Sequence, residues 1–308
     1  MALQVGIVGL PNAGKTSLFR ALTGSGGTTS GRDNVGMAAV PDERLQQLAQ
    51  TVKAKRVTPA SVRVVDVPGT GAELLGNLRQ VDLMLAVLDG WSGTHDPSSD
   101  YEELVLELLA ADRDHIGRRL ERVAKQAKSG DAKLRAEVAN LEKLVAQLEN
   151  LQTISELGAD VDIPPELELL TIKPMMEIVN GPEGIDLKLE AELAELSDED
   201  AAAFREGESA LGVVVRALVE TLDLITFFTA GEKETRAWTL RKGETALDAA
   251  ETIHTDLARG FIRAEVIRWD DLVKAGGHVE ARREGLERVE GKTYVVQDGD
   301  VLNIRFNV

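Results

Sequence analysis

Four short apolar runs punctuate the first two thirds of the chain: Leu3–Val8, Val62–Val65, Leu83–Leu88 and Met175–Val179. Each is only strand-long and close to continuous in its apolar character, the pattern of a parallel sheet covered on both faces. Helical segments lie between them, beginning with Ser17 to Leu22. Strands alternating with helices predict a doubly wound α/β sheet with its ligand at the carboxyl ends of the strands. From Asp100 to about Leu151 the period changes. Leu134, Val138, Leu141, Val145 and Leu148 recur at three- and four-residue steps, and Tyr101, Leu104, Leu108, Ile116, Leu120 and Val123 suit a facing helix. Ser129-Gly130-Asp131 reads as the turn, with Asp131 as N-cap. The expectation is an antiparallel hairpin with arms of roughly 30 to 40 Å at 1.5 Å per residue. Glu232 to Val308 returns to short β-branched strands with one helix near Leu247 to Leu257.

The first apolar run ends in Gly9-Leu10-Pro11-Asn12-Ala13-Gly14-Lys15-Thr16, which satisfies G-x-x-x-x-G-K-[ST] between a strand and a helix. Glycines let backbone N–H groups turn inward around a phosphate, and the helix N-terminus adds its dipole. Asn12, Ala13, Gly14, Lys15, Thr16 and Ser17 are therefore the candidate phosphate-binding residues. Lys15 offers a mobile cation to the β- and γ-phosphates, and Thr16 a hydroxyl to Mg²⁺.

The second run closes on Asp66-Val67-Pro68-Gly69. About 50 residues after a phosphate loop, this pattern supplies a carboxylate for Mg²⁺ (Asp66) and a backbone N–H for a γ-phosphate (Gly69). The following residue, Thr70, is too short to orient water as a glutamine would. The fourth run leads into Asn180-Gly181-Pro182-Glu183, where guanine-specific switches carry N-K-x-D. Two readings stand there: a base-reading position at Asn180 and Glu183, or a plain Asn-Gly-Pro turn. His95, in a loop, is expected to be structural or solvated.

Composition narrows the setting. The 308 residues suffice for two or three domains and carry a net charge of −17. There is no cysteine, so disulfides and thiolate metal sites are excluded. No stretch reaches about 18 apolar residues. The expectation is a soluble cytoplasmic protein without a membrane segment. Against the acidic whole, Arg113 to Arg135 holds eight basic residues (Arg113, Arg118, Arg119, Arg122, Lys125, Lys128, Lys133, Arg135) and three acidic ones (Asp114, Glu121, Asp131). This run is either a solvated helix face or a local contact for an RNA backbone.

Further segments carry a resemblance. They are Phe227-Phe228-Thr229-Ala230-Gly231, Glu234 to Thr239, Ile253-His254-Thr255-Asp256, Gly260 to Val266, Val296 to Val301 and Arg305-Phe306-Asn307-Val308. With Val40 to Leu45, Thr171-Ile172-Lys173-Pro174 and Lys188 to Leu193, they resemble the YchF / Obg-like ATPases over nearly the whole length. The resemblance implies a P-loop nucleotide domain (residues 1–95 and 170–228), an inserted helical hairpin (96–169) and a β-grasp-like TGS domain (229–308). It implies preference for ATP over GTP through Asn180 and Glu183, and ribosome or ribosomal-subunit binding through the hairpin tip and the TGS domain. The family's long glycine-rich second switch is here only Thr70 to Asn77, and a strand and helix are missing between Glu183 and Lys188. The chain resembles a shortened member. Slow Mg²⁺-dependent hydrolysis is the expected activity; the competing expectation is a nucleotide-binding adaptor that does not hydrolyse. His254 is expected in the core of the last domain, donating to a carbonyl.

Overall fold

A computed structural model describes residues 3–24, 28–30, 33–67, 71–93, 96–128, 130–157, 162–196, 198–204 and 209–307. The strands are β1 (Gln4–Val8), β2 (Thr28–Ser30), β3 (Asp33–Ala39), β4 (Val57–Thr58), β5 (Ser61–Asp66), β6 (Leu83–Asp89), β7 (Met175–Asn180), β8 (Leu224–Ala230), β9 (Thr235–Arg241), β10 (Phe261–Arg268), β11 (Arg288–Glu290) and β12 (Asp300–Phe306). The α-helices are α1 (Lys15–Thr23), α2 (Glu43–Thr51), α3 (Gly71–Leu78), α4 (Pro97–Ala127), α5 (Ala132–Glu149), α6 (Leu187–Leu193), α7 (Asp198–Phe204), α8 (Ala210–Thr221), α9 (Ala246–Ile253), α10 (Thr255–Arg259), α11 (Trp269–Ala275) and α12 (His278–Arg283). Contacts divide the chain into two compact units. One is Met1–Gly36 with Arg63–Phe204, the other Met37–Val62 with Arg205–Val308.

The first unit holds a sheet ordered β2-β3-β5-β1-β6-β7. β1 pairs in parallel with β5 and β6, and β6 in parallel with β7. All four apolar runs are strands of this sheet. Leu83 to Leu88 are buried throughout, as expected of a strand enclosed on both faces.

The hairpin forms as α4 and α5, with Asp131 accepting from the Lys133 N–H as the N-terminal cap. Its arms are unequal. At 1.5 Å per residue the 31 residues of α4 span about 46 Å and the 18 of α5 about 27 Å. The difference has a packing cause. Leu104 and Leu108 on α4 pack with Val8, Met84 and Ala86 under the sheet, while Ile116 and Val123 pack with Leu141, Leu144 and Leu148 of α5. Tyr101, Leu104 and Leu108 thus belong to the sheet's core, a correction to their expected place against α5.

Where α4 leaves the sheet, Asp112 is fully buried. Its carboxylate accepts from the N–H groups of Leu170 (3.1 Å) and Thr171 (2.8 Å), the Thr171 hydroxyl (2.9 Å) and Arg79 (2.9 Å). Arg79 follows α3 directly. Lys173 donates to the Arg79 and Val81 carbonyls. A buried carboxylate is tolerated only when its lone pairs are filled, and here each oxygen has two donors.

The second unit holds a sheet ordered β11-β10-β12-β8-β9-β4, its core built on Phe227, Val266, Leu240 and Leu302. β4 pairs in parallel with β9, and the Lys55 N–H reaches the Glu232 carbonyl. Arg44 joins Asp42 and Asp298 and lies 5.3 Å over the Phe228 ring. Residues 37–62 and 205–228, placed with the nucleotide domain on sequence, therefore group by contact with the C-terminal segment. α9 carries a capping box between Thr245 and Asp248. His254 is not a core residue: its side chain is 63% exposed and its Nδ1 accepts from the Asp256 N–H. The backbone breaks into an extended conformation between α9 and α10, and the imidazole caps the second helix.

Candidate phosphate and base site

Strand β1 delivers the chain to the loop, and α1 leads it away. Asn12 adopts φ 67° and Gly14 φ 107°. A Cβ at Gly14 would stand 2.5 Å from the Asn180 side-chain nitrogen, so the close approach and the left-handed backbone both require glycine. Gly14 is the N-cap of α1 and provides no side-chain cap. The first N–H groups of the nine-residue helix are thereby left for an outside acceptor.

Lys15 folds back over the loop. Its ammonium donates to the Gly9 carbonyl (2.9 Å) and the Leu10 carbonyl (2.8 Å). Burial pushes its pKa below the usual lysine value, and the nearby Asp66 carboxylate only partly offsets this. Lys15 is thus a partly desolvated cation whose hydrogen bonds go to neutral carbonyls, an arrangement that an incoming phosphate would improve. Asp66 sits at the carboxyl end of β5, in register with Ile7 just before the loop. Thr16 is exposed at the start of α1 and Ser17 half-buried beside it. A hydroxyl from Thr16 and a carboxylate from Asp66 form a hard oxygen donor set that fits Mg²⁺. Among the described residues no cluster of three histidine, aspartate or glutamate side chains could hold a metal by itself. The two protein oxygens suit an ion shared with phosphate.

Asn180 reaches the same place from β7. Its side-chain N–H donates to the Ala13 carbonyl at 2.9 Å, and its Oδ1 accepts from the Leu187 N–H at 3.2 Å and the Trp91 indole N–H at 3.3 Å. It ties the phosphate loop to the strand tip. Glu183 is exposed in the turn after β7. Asp186 caps α6 by accepting from the N–H groups of Lys188 and Leu189. Asn12 to Ser17, Asn180 and Asp66 are therefore gathered at the carboxyl ends of β1, β5 and β7. Gly69, Thr70 and His95 lie outside the described residues, as do Gly31 and Arg32. Trp91 was not singled out on sequence; the available signal was a tryptophan directly after Asp-Gly at a strand tip.

Fold and loop together define a P-loop nucleoside triphosphatase. The model described as a 50S ribosome-binding GTPase matches residues 4–125. A C-terminal YchF GTPase model, whose description reads "Protein of unknown function", matches residues 224–307. The chain belongs to the YchF family. The Ribosome-binding ATPase YchF of Haemophilus ducreyi is 38% identical over 363 aligned positions covering all of both chains, and that of Bacillus subtilis 36% identical over 366. Since this chain has 308 residues, those relatives carry segments that it lacks. The structure of the Schizosaccharomyces pombe YchF GTPase matches with a TM-score of 0.85 and 28% identity, covering 98% of this chain and 97% of that one. Among the described residues no helix is long and apolar enough to cross a membrane.

Proposed function

We propose that this chain binds Mg²⁺ with ATP in preference to GTP, hydrolyses it slowly, and associates with ribosomes in the cytoplasm. The observation that carries the reading is Lys15, a partly desolvated cation at an uncapped helix N-terminus with Asp66 nearby. In the proposed roles, Lys15 and the backbone N–H groups of Asn12 to Ser17 hold the phosphates. Thr16 and Asp66 hold Mg²⁺, which when bound neutralises charge on the phosphate oxygens. The Asp66-x-x-Gly69 spacing assigns the Gly69 N–H as a further donor to the γ-phosphate. Asn180 is a positioning residue: its polar atoms are engaged with Ala13, Leu187 and Trp91, which leaves the base edge to Glu183. The ATP preference draws its support from the family and from glutamate standing where guanine readers carry aspartate.

The test is phosphate release from ATP and from GTP, with and without ribosomes. Slow release from ATP that ribosomes accelerate is the expected result. Tight nucleotide binding with no release in either condition would leave an adaptor in place of an enzyme.

The names of the relatives support ribosome association, and the charge on the hairpin supports its tip as a contact. The structure changes which residues to test. Arg119 is only 19% exposed and is paired with Glu137 at 2.6 Å and Glu166 at 3.5 Å, so it belongs to the hairpin's own framework. Arg122, Lys125 and Lys128 are exposed near the turn. Their reversal to glutamate is expected to weaken ribosome co-sedimentation and flatten its salt dependence, each lost phosphate contact lowering the logarithmic slope by about 0.7 to 0.9. Nucleotide affinity should not change. Parental affinity and slope in the triple variant would make the run a solvated helix face.

A further inference from the structure

We infer that Trp91 is the stacking platform for the nucleotide base, supplying affinity without choosing between purines. The inference rests on the reading of the loop as a nucleotide site and adds to it a residue of this chain.

Three observations converge. The first is how the ring is held. Trp91 follows Asp89-Gly90 at the tip of β6, where the Asp89 carboxylate accepts from the N–H groups of Trp91 (2.9 Å) and Ser92 (3.3 Å). The indole N–H is fixed on Asn180, whose own amide is fixed on Ala13. Two hydrogen bonds thus separate the ring from the backbone of the phosphate loop. The second is exposure. Trp91 is 54% exposed, although its polar N–H is satisfied within the protein, so the open surface is chiefly aromatic. The third is the bareness of the neighbouring backbone. A Cβ at Gly181 would lie 2.9 Å from the Gly90 Cα, so no side chain fits at the position where guanine switches carry lysine. Gly181 itself is buried, so the surface offered to a base tethered through its phosphates at Lys15 is the exposed ring of Trp91.

Every purine has a π-face, so stacking is blind to the groups that separate adenine from guanine. Trp91 and Glu183 should then act on different quantities, the ring on affinity and the carboxylate on selectivity.

The experiment measures Kd for Mg-ATP, Mg-GTP and inorganic tripolyphosphate on the full chain. In Trp91→Ala both nucleotide affinities should fall together by about tenfold, the size of one base–aromatic stack. Tripolyphosphate should bind as in the parent, and Trp91→Phe should recover most of the loss. Of the three tryptophans (Trp91, Trp238, Trp269), Trp91 should carry the nucleotide-induced change in fluorescence, which Trp91→Phe would abolish. Parental ATP affinity in Trp91→Ala, or a fluorescence change that survives in Trp91→Phe, would overturn the stacking role while leaving the loop assignment intact. A parent that binds neither ATP nor tripolyphosphate would instead overturn the nucleotide site, and the stacking role with it.

Discussion

Lys15→Ala should lose about 2 to 3 kcal/mol of nucleotide binding, the range of a partly desolvated charge-assisted hydrogen bond to phosphate. In affinity this is a loss of tens- to over a hundredfold. The free protein should hardly notice. Among the described residues the ammonium donates only to the Gly9 and Leu10 carbonyls, and burial works against its charged form. Its removal gives up two modest hydrogen bonds and relieves a desolvation cost of similar size. Two measurements separate these effects. Titration calorimetry with Mg-ATP should show the affinity loss. Thermal unfolding should show a parent stabilised by about 2.7 kcal/mol at nucleotide concentrations of about 100 times Kd, and a variant with little gain at that concentration. If the variant binds as tightly as the parent, the phosphate site lies elsewhere.

Asp112→Ala should destabilise the first unit by about 3 to 5 kcal/mol, the cost of removing one partner from a buried ion pair. The deletion leaves the Arg79 guanidinium only 13% exposed, holding the Glu168 carbonyl alone. It strands the N–H groups of Leu170 and Thr171, both of them buried residues. Asp112→Asn keeps the size and one acceptor oxygen, and should cost less. Denaturant unfolding followed by circular dichroism would check both. A midpoint within experimental error of the parent in Asp112→Ala would mean that the hairpin is held at its base by apolar packing alone. The network also joins the end of α3, which is formed by the shortened second switch, to the root of α4. A loosened Asp112 should therefore broaden backbone exchange in both helices, a pattern hydrogen exchange can read.

The phosphate loop was legible in sequence because its chemistry is local. Eight consecutive residues between an apolar run and a helix specify the backbone turn, the helix N-terminus and the cation together. Asp131 as a cap is legible for the same reason, since donor and acceptor lie two residues apart. β6 was legible because a fully enclosed strand must be apolar along its length, and β1, β5 and β7, only partly buried, were legible as short apolar runs of strand length.

Other features depend on residues far apart in the chain. Asn180 is read from sequence as a base contact, yet its amide is spent on Ala13, 167 positions away, and its oxygen is shared with Trp91, 89 away. Arg119 reads as one of eight cations along the hairpin, and only the docking of α5 and the segment at Glu166 shows it paired. The grouping of residues 37–62 with the C-terminal segment follows from β4 pairing with β9, a register that β4's two residues could not announce. The sequence by itself determined the class of the protein, its phosphate loop and its strands, because spacing and period act within one turn or one strand. The tertiary structure alone decided which polar groups are already satisfied and which remain for a ligand, because that depends on what packing brings within about 3 Å.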